Sequence, residues 1–134
     1  MTIYVIDTNV ISDVAAPIPN QTVLAHFARH QQDTLCLCEA VDYEVRRGYL
    51  KTGATSKLKV YENILKPQFQ WIVITEDDWK QAAQFWADTA NQVKALSDVD
   101  LIIAAVAKRL GGIIVTANAD FNVLPVTREN WRNP

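Results

Sequence analysis

The stretch VIDTN (residues 5–9) decides how the rest of the chain is read. It closes an apolar run, TIYVI (2–6), with the Ile/Val content of a buried strand, and then turns abruptly to an acid, a hydroxyl and an amide. Asp7 therefore has two readings. It caps a helix starting near Thr8, a common task for Asp, or it does chemistry at the end of a strand. The choice depends on whether other carboxylates arrive at the same place.

Working outward, further strand-like runs occur at TLCLC (34–38), WIVIT (71–75) and GIIVT (112–116), with a weaker one at VLPVT (123–127). Most lack polar alternation, as strands covered on both faces do. Helical periodicity fills the gaps. Val23, Leu24, Phe27 and Ala28 form one stripe, and Leu58, Tyr61 and Leu65 another. Within 76–94, Trp79, Ala83 and Trp86 recur at i, i+4, i+7; such stripes are read as core or interface packing. Strands alternating with helices predict an α/β fold: a three-layer sandwich with a mostly parallel central sheet of four to five strands, in a single domain spanning 1–134. A sheet of this kind places functional residues just beyond the carboxyl ends of its strands.

Acids recur at those places. Asp7 follows the first strand; Glu39, Asp42 and Glu44 lie on the helix after the second. Asp98 and Asp100 occupy the first turn of an apolar helix before the fourth strand, and Thr116, Asn118 and Asp120 come after it. Each has an ordinary structural reading. Ser97 to Asp100 fits a capping box, Glu44 could face solvent, and Asp120 could shape a turn. Together they point to more. Several carboxylates at one sheet edge repel one another at neutral pH, and a hard divalent cation, Mg²⁺ or Mn²⁺, relieves this while keeping water in its remaining positions. No Walker loop, GxSxG or Cys-His pairing offers a competing chemistry.

Composition narrows the field. The 134 residues, 49% of them apolar, suit one domain with a real core. The longest aliphatic run, LIIAAVA (101–107), has seven residues, against roughly 20 for a membrane span. No basic n-region or cleavage site precedes the first strand, so a soluble, cytoplasmic protein without membrane association is expected. Cys36 and Cys38, on one face of a strand, provide neither a disulfide framework nor a zinc ribbon. His26 and His30 are four apart, but without HExxH they read as a solvated helix face. The net charge of −2 argues weakly against nucleic acid, yet Arg46, Arg47, Lys51, Lys57 and Lys59 lie together with no acid between Glu44 and Glu62. On charge alone this is an ordinary solvated helix pair. For a nucleic-acid substrate, Arg46, Arg47 and Lys51 become the candidates for contact with its backbone.

DTNVIS (7–12), Glu44 followed shortly by Gly48, DLIIAAVAKRLG (100–111), VTANADF (115–121) and the Asn130-Trp131 pair resemble the PIN domain, and within it the VapC toxins of bacterial toxin–antitoxin pairs. The resemblance spans nearly the whole chain. It implies Asp7, Glu44, Asp100 and Asp120 as the catalytic acids, with Asp7 and Asp100 holding Mg²⁺ or Mn²⁺. Asn9, Asp98, Thr116 and Asn118 would line the same pocket. The implied activity is endoribonuclease cleavage of tRNA, rRNA or mRNA, with a small antitoxin as partner and a homodimer as the assembly. Two positions depart from the family pattern. Ala117 stands where a basic residue is frequent, and Cys38 where a serine or threonine is common; both bear on substrate contacts rather than on hydrolysis. Two rivals are a degenerate PIN module that only binds RNA or protein, and a HAD-like phosphatase. The latter needs a second acid two residues after the first, where this chain has Asn9.

Overall fold

Five strands, β1 (Ile3–Ile6), β2 (Thr34–Cys38), β3 (Gln70–Ile72), β4 (Ile113–Val115) and β5 (Thr127–Glu129), form one sheet in the order β3-β2-β1-β4-β5. Every neighbouring pair is parallel. The computed structural model describes residues 1–91 and 96–133. Six α-helices surround the sheet among these residues: α1 (Thr8–Ala15), α2 (Gln21–Arg29), α3 (Glu39–Thr52), α4 (Thr55–Val60), α5 (Glu76–Thr89) and α6 (Asp98–Leu110). No helix among the described residues is long and apolar enough to cross a membrane.

The aliphatic strands explain the layering. β1 is central, and Val5 and Ile6 are fully buried because both sheet faces are covered. Helix α6 is apolar around its whole circumference, and its LIIAAVA run is buried throughout. A helix apolar all round belongs in the interior. It stops at Gly111, which takes the left-handed conformation that favours glycine (φ 63°). The next residue, Gly112, passes so close to β1 that a Cβ there would lie 3.1 Å from the Ile3 carbonyl oxygen. Arg109 on α6 binds both carboxylate oxygens of the buried Asp78 through Nε, at 2.9 and 3.1 Å, and so ties α6 to α5.

Several sequence expectations are corrected. β3 ends at Ile72 rather than continuing to Thr75, because the Glu39 carboxylate takes the Ile74 N–H at 2.6 Å and Thr75 caps α5 in a capping box with Asp78. The last strand lies at 127–129 rather than 123–127. Pro125 has no N–H to give a ladder, and residues 119–123 form a 3₁₀ turn instead. The tryptophan stripe does not face the core. α5 buries Asp78, Ala82 and Phe85, leaving Trp79 and Trp86 56% and 59% exposed; residues 92–94 of that expected helix lie outside the described residues. His26 and His30 are not on a solvated face either. Both are half-buried and stack on the ring of Trp131, at 5.3 and 4.9 Å, which the C-terminal segment folds back over Tyr4.

Candidate active site

β1 and β4 are adjacent in space but distant in sequence, and the strand order reverses between them. A crevice opens beyond the carboxyl ends of strands at such a point. Asp7 stands there. Its backbone N–H donates to Val115 O at 3.0 Å, extending the β1–β4 ladder by one bond. Its carboxylate accepts from Thr8 N at 2.7 Å, capping α1, so the helix-cap reading is correct as far as it goes. The other oxygen accepts from Thr116 Oγ1 at 2.7 Å and Asn9 Nδ2 at 3.0 Å. A cap needs only the first of these bonds.

The pocket around Asp7 is a closed polar network. Asn9 Nδ2 also donates to Thr116 Oγ1 at 3.1 Å, and Asn9 Oδ1 accepts from Ala117 N at 3.1 Å. Thr116 Oγ1 accepts from Asn118 N, and Asn118 Oδ1 from Asp120 N, both at 3.0 Å. Asn9, Thr116 and Asn118, grouped by the sequence, thus form one chain of bonds from β1 to the 3₁₀ turn that bears Asp120. Asp7 is 4% exposed, and among the described residues no cation pairs with it. Burial first, and then the charges of Asp100 and Glu44, push its carboxyl up to about 6 against the pull of Thr116 and Thr8.

Asp100 occupies the first turn of α6, where its N–H donates to Ser97 Oγ at 3.1 Å. Burial raises its carboxyl above the usual range, hydrogen bonds from Ser97 oppose this, and Glu44 and Asp120 raise it again. Glu44, on α3, accepts from Thr8 Oγ1 at 2.5 Å and from Arg47 Nη2 at 3.3 Å. The four acids are therefore linked electrostatically through Asp100. Asp7 senses Asp100 and Glu44, and Asp100 senses Glu44 and Asp120. Thr8 is a site residue that the sequence does not single out. It lies inside the quoted motif, but nothing in the spacing announces a partner 36 residues away.

Other predicted residues lie elsewhere or are differently engaged. Asp98 is exposed and lines an outer groove with Glu39, Ala40, Tyr43, Ile74 and Trp79. Arg46 is half-buried and its charge is engaged: its Nε donates to Asp42 at 2.8 Å, and it also pairs with Glu62. Asp42 additionally accepts from the buried Tyr61 hydroxyl at 2.6 Å. Arg47 lies over the Tyr43 ring at 5.0 Å and faces Glu44; Lys51 is exposed at the end of α3.

A hard cation suits this pocket in donor type and charge, since the acids offer oxygen ligands and Asp7 is buried without a countercharge among the described residues. The fit is not that of a preformed cage: among the described residues, no three His, Cys, Asp or Glu side chains stand ready to enclose an ion. Asp7 and Asp100 are the residues that would hold it.

Solved structures share this arrangement of strands and helices. The FitAcB structure from Neisseria gonorrhoeae superposes with a TM-score of 0.83 at 24% identity, covering 96% of this chain and 97% of that one. DNA-bound VapBC from Salmonella typhimurium gives 0.85 at 21%, covering 98% and 99%. VapC20 from Mycobacterium tuberculosis, a sarcin-ricin loop cleaving toxin, gives 0.70 at 14%, covering 92% and 96%. At these identities the likeness is one of fold. No curated protein matches the chain significantly in sequence. A family model, the PIN domain, matches residues 4–126. With that match running from within β1 to beyond the 3₁₀ turn that bears Asp120, the chain belongs to the PIN domain family.

Proposed function

We propose that this chain is a Mg²⁺- or Mn²⁺-dependent endoribonuclease and the toxin of a toxin–antitoxin pair. The observation that carries the reading is Asp7, a buried carboxylate with no cation beside it among the described residues, pushed up further by two neighbouring acids. Natural cores avoid such a group unless it is used. When bound, the divalent ion supplies charge stabilisation to a phosphodiester and favours ionisation of water.

The chain's own residues do the rest. Asp7 and Asp100 would hold the cation. Thr116 and Asn9 fix the Asp7 carboxylate between two strand ends, and Thr8 fixes Glu44 relative to Asp7. Glu44 and Asp120 orient the attacking water and one of them takes its proton; the water oxygen bonds to phosphorus in line as the P–O bond to the leaving sugar oxygen breaks, and that oxygen departs with a proton from solvent. RNA as substrate is supported by the resemblance to VapC toxins and by the sarcin-ricin loop cleavage attributed to VapC20. The resemblance also supplies the antitoxin partner. A homodimer is part of the same reading, because α5 leaves Trp79 and Trp86 more than half exposed.

The test is incubation with total RNA in Mg²⁺ or Mn²⁺, with and without EDTA, followed by mapping of the cut ends. Cleavage abolished by EDTA is expected. Absence of cleavage with either ion would leave a module that only binds. The phosphatase alternative is disfavoured by Asn9, whose amide is engaged with Asp7, Thr116 and Ala117 and supplies no acid.

A further inference from the structure

Arg128 has no place in the network above, yet it lies at the same edge of the sheet. β5 runs parallel to β4 with Arg128 in register with Ile114, so its strand also ends at the carboxyl edge. Its Nη1 donates to the carbonyl oxygen of Thr116 at 3.4 Å, and its Nε to Asn122 Oδ1 at 3.1 Å. Thr116 is the residue whose hydroxyl holds Asp7. One residue therefore connects the guanidinium to the buried acid. The turn between them carries no cation of its own: Ala117 stands between Thr116 and Asn118.

The company Arg128 keeps differs from that of most arginines in this chain. Arg46, Arg47, Arg109 and Arg132 each face a carboxylate, and Arg29 pairs with the His26 ring on α2. Arg128 faces a carbonyl and an amide, and among the described residues it has no carboxylate partner. Neutral acceptors orient a guanidinium without cancelling its charge. They use two of its five N–H donors and leave three, in a planar fork whose geometry matches a phosphate. Arg128 is also half-buried, which fixes its position better than a free surface side chain.

We propose that Arg128 is a substrate-contact residue: tethered by Thr116 O and Asn122 Oδ1 beside the strand-end acids, its guanidinium grips a backbone phosphate of the RNA. A polyanion brought up to several carboxylates needs a cation at the edge of the cleft, and this one is placed there with its charge intact. The inference rests on the ribonuclease reading of the site.

The experiment measures binding of a labelled single-stranded oligoribonucleotide against salt concentration, on an Asp7→Asn background that does not cut, for Arg128 and for its Gln and Lys variants. Arg128→Gln should weaken binding several-fold and lower the log–log salt slope by about 0.7, the contribution of one phosphate contact on a single strand. Arg128→Lys should keep the slope but recover only part of the affinity, because it keeps the charge and loses the fork. If both variants bind with unchanged affinity and slope while an otherwise native chain carrying them loses turnover, Arg128 only tethers the 116–122 turn and the proposal is wrong. EDTA-sensitive cleavage by the native chain, run in parallel, separates the two failures. No cleavage overturns the ribonuclease reading and this inference with it; cleavage with an unchanged slope overturns only the role of Arg128.

Discussion

Replacing Asp7 with asparagine should change the pH dependence of stability in a way that can be worked out from the pocket. In the unfolded chain an aspartate titrates near 3.8, and in the folded chain burial and neighbouring acids move Asp7 to about 6. Between these values the native state holds a proton that the unfolded state has lost. The wild type is therefore favoured at low pH and loses stability as pH rises through about 6. The rise from 3.8 to about 6, at roughly 1.36 kcal/mol per pH unit, makes the loss ~3 kcal/mol. The carboxamide of the variant does not ionise and escapes it. It also cannot accept from all of Thr8 N, Asn9 Nδ2 and Thr116 Oγ1, which costs about 1–3 kcal/mol at every pH. The quantity to measure is thus the difference between variant and wild type, in which the constant cost appears as an offset. Urea melts in EDTA at half-unit intervals from about pH 4 to pH 8 should show most of that loss, the difference moving by ~2.4 kcal/mol in favour of the variant. Excess Mg²⁺ should stabilise the wild type selectively and reduce the movement. A difference that stays flat across this range would refute the claim that Asp7 is held ionised at a cost to the apo protein.

Asp100→Asn should stabilise the apo protein at neutral pH, because relief of burial and of repulsion from Glu44 and Asp120 outweighs the Ser97 bonds it weakens, about 1 kcal/mol for a typical cap. Denaturant melts with EDTA and with excess metal check this; a destabilised apo form with an intact metal-induced gain would make Asp100 a cap alone. Arg46→Gln should cost about 2 kcal/mol of stability by leaving the buried Asp42 with one charged partner fewer, and should leave the salt slope of RNA binding unchanged. Arg47→Gln with Lys51→Gln should instead lower that slope, read from Kd against salt on the non-cutting background. Thr8→Val preserves shape but removes the bond that holds Glu44, so RNA cleavage should fall roughly 10- to 100-fold, the equivalent of one hydrogen bond to a charged group, with Thr8→Ser restoring most of it.

The parts of this fold legible in the sequence are those governed by local pattern. Strands β1, β2 and β4 are aliphatic runs ending in polar residues, and the rule that parallel sheets work at their carboxyl ends is enough to single out Asp7, Thr116 and Asn118. What escapes the sequence depends on partners far along the chain. β3 stops early because Glu39 captures the Ile74 N–H, and no window around 71–75 contains Glu39. The last strand begins later than its apolar run because Pro125 interrupts that run, and this signal is present in the sequence itself. Periodicity groups Trp79, Ala83 and Trp86 on one face of α5 but does not tell inside from outside; the helix turns Phe85 inward instead. The basic stretch reads as a unit, yet Arg46 is neutralised by Asp42 and Glu62 while Lys51 is exposed.

The bond between Asp7 and Thr116 closes a loop of 109 residues. The partners of this pocket are thus distributed from one end of the chain to the other, and the β1–β4 pairing that aligns them is a contact of high sequence separation. During synthesis, domains fold as units, and a chain still lacking residues 113–120 has the first acid but not the Thr116 hydroxyl or the β4 ladder bond that fix it. Helices α1 to α4 can form early without creating a nuclease. On the ribonuclease reading, the site cannot be completed until β4 has been made, and loss of the segment from β4 onward would take Thr116, Asn118 and Asp120 away from Asp7.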